Sequence, residues 1–99
     1  MTVDTYHTVI VTFEVDPAAQ VEALEKIGAY VGGFLSRQPG FVESFLHQGL
    51  DGQSIVHYAR WQSEADFKAA GEKARVHPDF PALMVYKPSG KGYRVWKSF

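Results

Sequence analysis

The order strand, helix, strand, strand, helix, strand can be read along the chain, and it predicts an α+β protein of ferredoxin-like βαββαβ topology, in which two helices cover one face of a four-stranded antiparallel sheet. Three observations carry that expectation. Residues Tyr6 to Val15 alternate between apolar and polar side chains. An apolar set at helical spacing follows at once. Two later apolar runs are separated by Asp51-Gly52, a strong hairpin signal.

In the first strand Val9, Val11, Phe13 and Val15 point one way and Thr8, Ile10, Thr12 and Glu14 the other. Asp16-Pro17 supplies an N-cap and a proline at the first helical position, and Val21, Leu24, Ile27, Val31, Phe34 and Leu35 carry a long helix to about Arg37. Gly28, Gly32 and Gly33 each weaken that helix by about 1 kcal/mol relative to alanine, which predicts that something packs close to them. Gln38-Pro39-Gly40 breaks the chain before strands at Phe41 to Gln48 and Ser54 to Trp61, joined through Leu50-Asp51-Gly52-Gln53. Ser63 is a second N-cap with Glu64 and Asp66 in an acidic first turn, opening a helix that carries Ala65, Phe67 and Ala70 and fades near Arg75. His77 to Pro81 reads as a break, and Tyr93, Val95 and Phe99, opposite Arg94 and Trp96, place the last strand at Gly92 to Phe99. The second sheet face has no helix to cover it. In this phase it carries Ile10, Val42, Leu46 and Val56, an apolar patch that calls for a second copy packed sheet to sheet.

A chain of 99 residues is expected to form a single domain spanning residues 1–99. Its 45% hydrophobic and 21% charged composition is that of an ordinary globular protein. Ten basic against eleven acidic side chains leave a formal charge of −1, with no field to attract nucleic acid or an anionic membrane. The absence of cysteine excludes disulfides, thiolate metal sites and cysteine nucleophiles. No apolar stretch approaches the ~20 residues that span a bilayer, and Met1 to Phe13 lack a basic n-region and a small-residue cleavage site, so a cytoplasmic location is expected. No metal is expected either: His77-Pro78-Asp79 reads as a loop, and no second histidine stands at metal-ligand spacing from it.

The third strand is the most informative segment. Ile55, His57, Ala59 and Trp61 share one face of it, and His57 and Trp61, roughly 13 Å apart at about 3.3 Å per residue, flank a common surface on which a small-molecule pocket could lie. The same pattern also fits a core tryptophan and a histidine bonded to a backbone carbonyl.

The run from Gln38-Pro39-Gly40-Phe41 through Leu46-His47, then Asp51-Gly52, then Val56-His57-Tyr58-Ala59-Arg60-Trp61-Gln62-Ser63-Glu64-Ala65-Asp66-Phe67, resembles the antibiotic biosynthesis monooxygenase (ABM) domain family. The resemblance implies a ferredoxin-like monomer that dimerises through its sheets into a dimeric α+β barrel, in agreement with the uncovered face. It also implies one of several activities, among them quinone-forming oxygenation without a cofactor and haem degradation. In the polyketide-type members the strand motif reads Asn-Tyr-Ala-Gln-Trp, with an aromatic hydroxyl six residues after the tryptophan. This chain has His57-Tyr58-Ala59-Arg60-Trp61 and Phe67. Trp61 carries over directly, His57 replaces the asparagine, and Phe67 lacks the hydroxyl. A later arginine of the family aligns with Arg75.

What the resemblance implies is a homodimer that oxidises a small aromatic phenol or quinol with dioxygen and needs no cofactor, because a deprotonated electron-rich phenol reduces dioxygen itself. The protein would supply desolvation and orientation. His57 would accept the phenolic proton, its ordinary pKa of about 6.5 suiting neutral acid–base work. Trp61 would hold the ring system, with Tyr30, Phe67, His47 and Arg75 as further substrate contacts. Two alternatives stand beside this reading. One is a non-catalytic dimeric ligand-binding or stress-response module. The other is a haem-binding relative, disfavoured because the axial histidine of those proteins falls at Gly71 here, with His77 further along.

Overall fold

The computed structural model describes residues 5–99. Its strands are β1 (His7–Glu14), β2 (Phe41–Gln48), β3 (Ser54–Trp61) and β4 (Ser89–Tyr93), and its helices α1 (Gln20–Gly33), α2 (Glu64–Arg75) and α3 (Phe80–Met84). The strands form one antiparallel sheet in the order β2-β3-β1-β4, so β1 and β2 are separated by β3 and the fold is the split βαβ, ferredoxin-like arrangement.

Local sequence explains most of the boundaries. Asp16 accepts a bond from the Ala18 amide and starts a 3₁₀ turn at Pro17–Ala19 that leads into α1. A second 3₁₀ turn, Leu35–Arg37, comes after the end of α1, so the long predicted helix is a helix flanked by two tighter turns. Gly40 and Gly52 sit in the left-handed region, at φ 85° and 77°, where a side chain would be strained; they close the turn into β2 and the hairpin between β2 and β3. Ser63 caps α2 by accepting from the Asp66 amide at 3.1 Å. Gln20 is buried at the start of α1 and ties that helix to the hairpin: its Nε2 donates to Gly49 O at 2.9 Å and Ser54 O at 3.1 Å, and its Oε1 accepts from Gln48 Nε2 at 3.0 Å.

The helix-facing side of the sheet carries Val9, Val11 and Phe13 from β1 and Ile55, His57, Ala59 and Trp61 from β3, in register across the central pair. Two contiguous clusters fill the layer. One is Phe13, Ala23, Ile27, Ile55, Leu83 and Tyr86, and the other Val9, Ala59, Trp61 and Ala70. Fully burying residues such as Trp61, Ile27 and Ile55 contributes about 1.5–3 kcal/mol each.

Several sequence expectations are corrected. The last strand lies at Ser89–Tyr93 rather than Gly92 to Phe99, because pairing with β1 (Thr12 opposite Ser89, Thr8 opposite Tyr93) sets its position. Gly90 and Gly92 fall on the helix-facing side, so this strand carries no apolar alternation to be read. The expected break at His77 to Pro81 gives way to α3, with Pro81 in its first turn, where a missing amide is harmless. In β2 a bulge between Phe41 and Glu43 absorbs Val42 and reverses the phase of the residues beyond it. Leu46 therefore pairs with His57 and packs into the core instead of lying on the outer face. Finally, nothing crowds the α1 glycines: a Cβ on Gly28 would meet only Leu46 at an ordinary 3.9 Å, and one on Gly32 or Gly33 nothing within 4 Å.

Candidate active site

Where β3 passes beneath the helices, the layer is not completely filled. A cavity of about 200 Å³ lies between the sheet and all three helices, with Val11 and His57 from the sheet, Ile27 and Tyr30 from α1, Phe67 and Gly71 from α2, and Leu83 from α3 among its walls. Among the described residues that line it, only His57 and Tyr30 have a side chain that carries a nitrogen or oxygen. A larger recess of about 430 Å³ at the other end of β1, beside His7, Glu64 and Arg94, is lined mostly by exposed side chains. It lacks the desolvation that gives a polar group chemical leverage.

His57 is 4% exposed, and its Nε2 is buried without a hydrogen-bond partner among the described residues. An unpartnered buried nitrogen costs roughly 1–3 kcal/mol. Burial, with a smaller contribution from the like charge of His47, pushes the imidazole down to about 4. The ring is thus neutral at physiological pH and accepts or donates as an uncharged group. This corrects the expectation of an ordinary histidine poised near 6.5. The Tyr30 hydroxyl is likewise held in its neutral form, its pKa raised by burial and by the negative charge of Asp79.

Trp61 was expected on the pocket wall and is not there. Four residues from His57, it lies under the first turns of α2, 1% exposed, edge-on to Phe41 at 5.3 Å and to Phe67 at 5.8 Å between ring centroids. Phe67 stands between it and the cavity, so Trp61 acts on the cavity by fixing Phe67, which His7 also contacts at 5.6 Å. Tyr30 and Phe67 are on the wall. His47 pairs with Val56 on the outer sheet face and is exposed, because the bulge in β2 turns it away from the helices. Arg75 is exposed on α2 and lines a shallow surface groove with Phe67, Lys68, Gly71 and Glu72 rather than the cavity.

Sequence reasoning missed Phe80, Leu83, Met84 and Pro88, which form part of the cavity wall. Their signal was present in the apolar spacing of Phe80, Leu83 and Met84 after Asp79, but Pro81 argued for a break. The residues do not fit a haem. Position 71 offers no ligand, and His77 is outside the cavity wall, packed at a tilt against Phe34 with ring centroids 4.5 Å apart and its Nδ1 accepting from the Asp79 amide at 3.0 Å. No cluster of three or more His, Cys, Asp or Glu suited to a metal occurs among the described residues.

Fold and site together define a ferredoxin-like protein whose sheet and helices border an apolar cavity lined by a buried, neutral histidine. The chain belongs to the antibiotic biosynthesis monooxygenase family, whose model matches residues 6–77. It is 36% identical over 73 residues to the tetracenomycin-F1 monooxygenase of Streptomyces glaucescens, a match covering 74% of this chain and 65% of that protein, just under two thirds of its length. Among solved structures it is similar to the monooxygenase from the gene ActVA-Orf6 of Streptomyces coelicolor, crystallised with the ligand nanaomycin D, at a TM-score of 0.81 and 27% identity over 95% of this chain and 90% of that one. It shares the fold of SnoaB, a cofactor-independent oxygenase from Streptomyces nogalater, at a TM-score of 0.72 and 24% identity over 96% of this chain and 97% of that one.

Proposed function

We propose that the protein is a cofactor-independent monooxygenase that oxidises a small aromatic phenol or hydroquinone with dioxygen in the cavity between sheet and helices. The observation that carries this reading is His57, whose ring lines an otherwise apolar cavity and whose buried Nε2 has no partner among the described residues. The tetracenomycin-F1 monooxygenase and the nanaomycin D complex support it from the side of the relatives.

The His57 ring accepts the phenolic hydroxyl at Nε2. With a pKa near 4 it is a weak base toward a phenol in isolation, so proton transfer depends on the ion pair it creates: imidazolium and phenolate stabilise each other strongly in a dry cavity. The phenolate gives one electron to dioxygen, and the aryloxyl radical and superoxide combine at a ring carbon. The peroxide so formed takes back the proton and loses water, leaving a quinone. For a naphthol the balance is naphthol plus dioxygen to naphthoquinone plus water, with no external reductant. Apolar walls from α1, α2 and α3 exclude water that would solvate the phenolate and quench its reducing power.

The active unit in this reading is a homodimer. Phe45, 54% exposed, meets Tyr58 on the outer sheet face at 6.3 Å between centroids, beside Ile10 and Val56, and a second copy covers that face.

Oxygen uptake with 1-naphthol, without added metal or flavin, tests the proposal. Wild-type protein should consume oxygen above the autoxidation rate, and His57→Phe should lower the rate by about 10²-fold or more, the usual contribution of a positioned acid–base group. Uptake no faster than autoxidation, or equal rates for both proteins, refutes it. One observation favours the non-catalytic ligand-binding reading instead: a cavity of about 200 Å³ with so weakly basic a histidine can hold a ligand without reacting. Saturable binding of 1-naphthol with no oxygen uptake would decide for that reading.

A further inference from the structure

Gly71 lies inside α2, where glycine is the least suitable residue after proline, and the usual justifications for it fail here. Its φ is not in the left-handed region. Among the described residues, and apart from its own helix, a Cβ built at this position would meet nothing within 4 Å. What distinguishes the position is its place between two recesses. Gly71 and Phe67, one helical turn apart, line both the buried cavity and the surface groove that also holds Lys68, Glu72 and Arg75. Phe67 is held from behind by Trp61 and His7. The missing side chain of Gly71 leaves a gap on the side of α2 where the two recesses adjoin.

The size of the cavity gives this gap a use. Since an apolar cavity of about 150 Å³ takes one benzene, one of about 200 Å³ suits about two fused aromatic rings. A longer ring system seated against His57 has to leave the cavity, and the gap at Gly71 leads it to a groove whose rim offers polar groups to an oxygenated outer ring.

We propose that Gly71 is a specificity-determining residue, a gap beside α2 that admits ring systems longer than the cavity by letting their outer end protrude into the groove beside Lys68, Glu72 and Arg75. This rests on the reading of the cavity as a phenol site. The test compares 2-naphthol with 2-hydroxyanthraquinone, a stable three-ring phenol, by isothermal titration calorimetry against wild type, Gly71→Ala and Gly71→Leu. Gly71→Leu should weaken three-ring binding about tenfold or more beyond any change for two rings, with Gly71→Ala between it and the wild type. Gly71→Ala should also raise the thermal midpoint by several degrees, since it removes a helix-weakening glycine into open space. The proposal is overturned if both ligands lose affinity equally, if neither changes, or if Gly71→Ala lowers the midpoint. If neither ligand binds wild type, or if His57→Phe leaves binding of both unaltered, the phenol-site reading itself falls and the role of the gap with it.

Discussion

Acidification should destabilise this protein through His57 in particular, by an amount that the burial of the ring sets. The imidazole titrates near 6.5 in the unfolded chain and near 4 when folded, so between those values the unfolded state binds a proton that the native state refuses. Stability therefore falls as pH drops below about 6.5, and this group's effect is complete below about 4. The ceiling is the 2.5-unit difference times about 1.36 kcal/mol per unit, or about 3.4 kcal/mol, of which about 2 kcal/mol is lost between pH 7 and pH 5. Urea unfolding at those two pH values, at one protein concentration so that any association contributes equally, measures the loss. His57→Phe cannot titrate at this position, while every carboxylate in it still does. The wild type should lose about 2 kcal/mol more than the variant over this interval. Equal losses in the two proteins would refute the argument, because they would mean that the folded site accommodates imidazolium as readily as water does.

Two further expectations concern the supports of the cavity. Trp61→Ala should cost about 3–5 kcal/mol of stability by chemical denaturation, as removal of a 1% exposed tryptophan leaves a large void; the milder Trp61→Phe should keep the fold but loosen Phe67 and weaken 2-naphthol binding in calorimetry. Gln20→Ala should cost about 1–2 kcal/mol, because the half-buried Gly49 carbonyl loses its side-chain donor while the Ser54 carbonyl keeps the Gly49 amide, and hydrogen exchange should then show faster opening at the hairpin between β2 and β3 than elsewhere in the sheet.

The central strand pair and its phase were legible because alternation in β1 and β3 is unbroken: Val9, Phe13, Ile55, His57 and Trp61 all face the helices as their spacing requires. The flanking strands were harder for physical reasons. In β2 one bulged residue reverses every side chain after it, which moved Leu46 inward and His47 outward without leaving any mark in composition. In β4 the ladder with β1 determines the strand, and two of its five residues are glycines, so tertiary pairing overrides weak local preference. The third helix was hidden by Pro81, which the first turn of a helix tolerates. For the site, residue type pointed to His57. Its depressed pKa and the screening of Trp61 by Phe67 depend on how three helices close over the sheet, and no spacing along a strand contains that information. The role argued for Gly71 could be seen only once the cavity and the groove beside α2 were both visible.

The most direct test of the central claim is a crystal structure of the protein with 2-naphthol bound. The account predicts the ring inside the cavity between Tyr30 and Phe67, with its hydroxyl about 2.6–3.2 Å from Nε2 of His57. Naphthol in the surface recess beside His7 and Arg94, or a cavity that stays empty with the His57 ring turned to a backbone carbonyl, would contradict it.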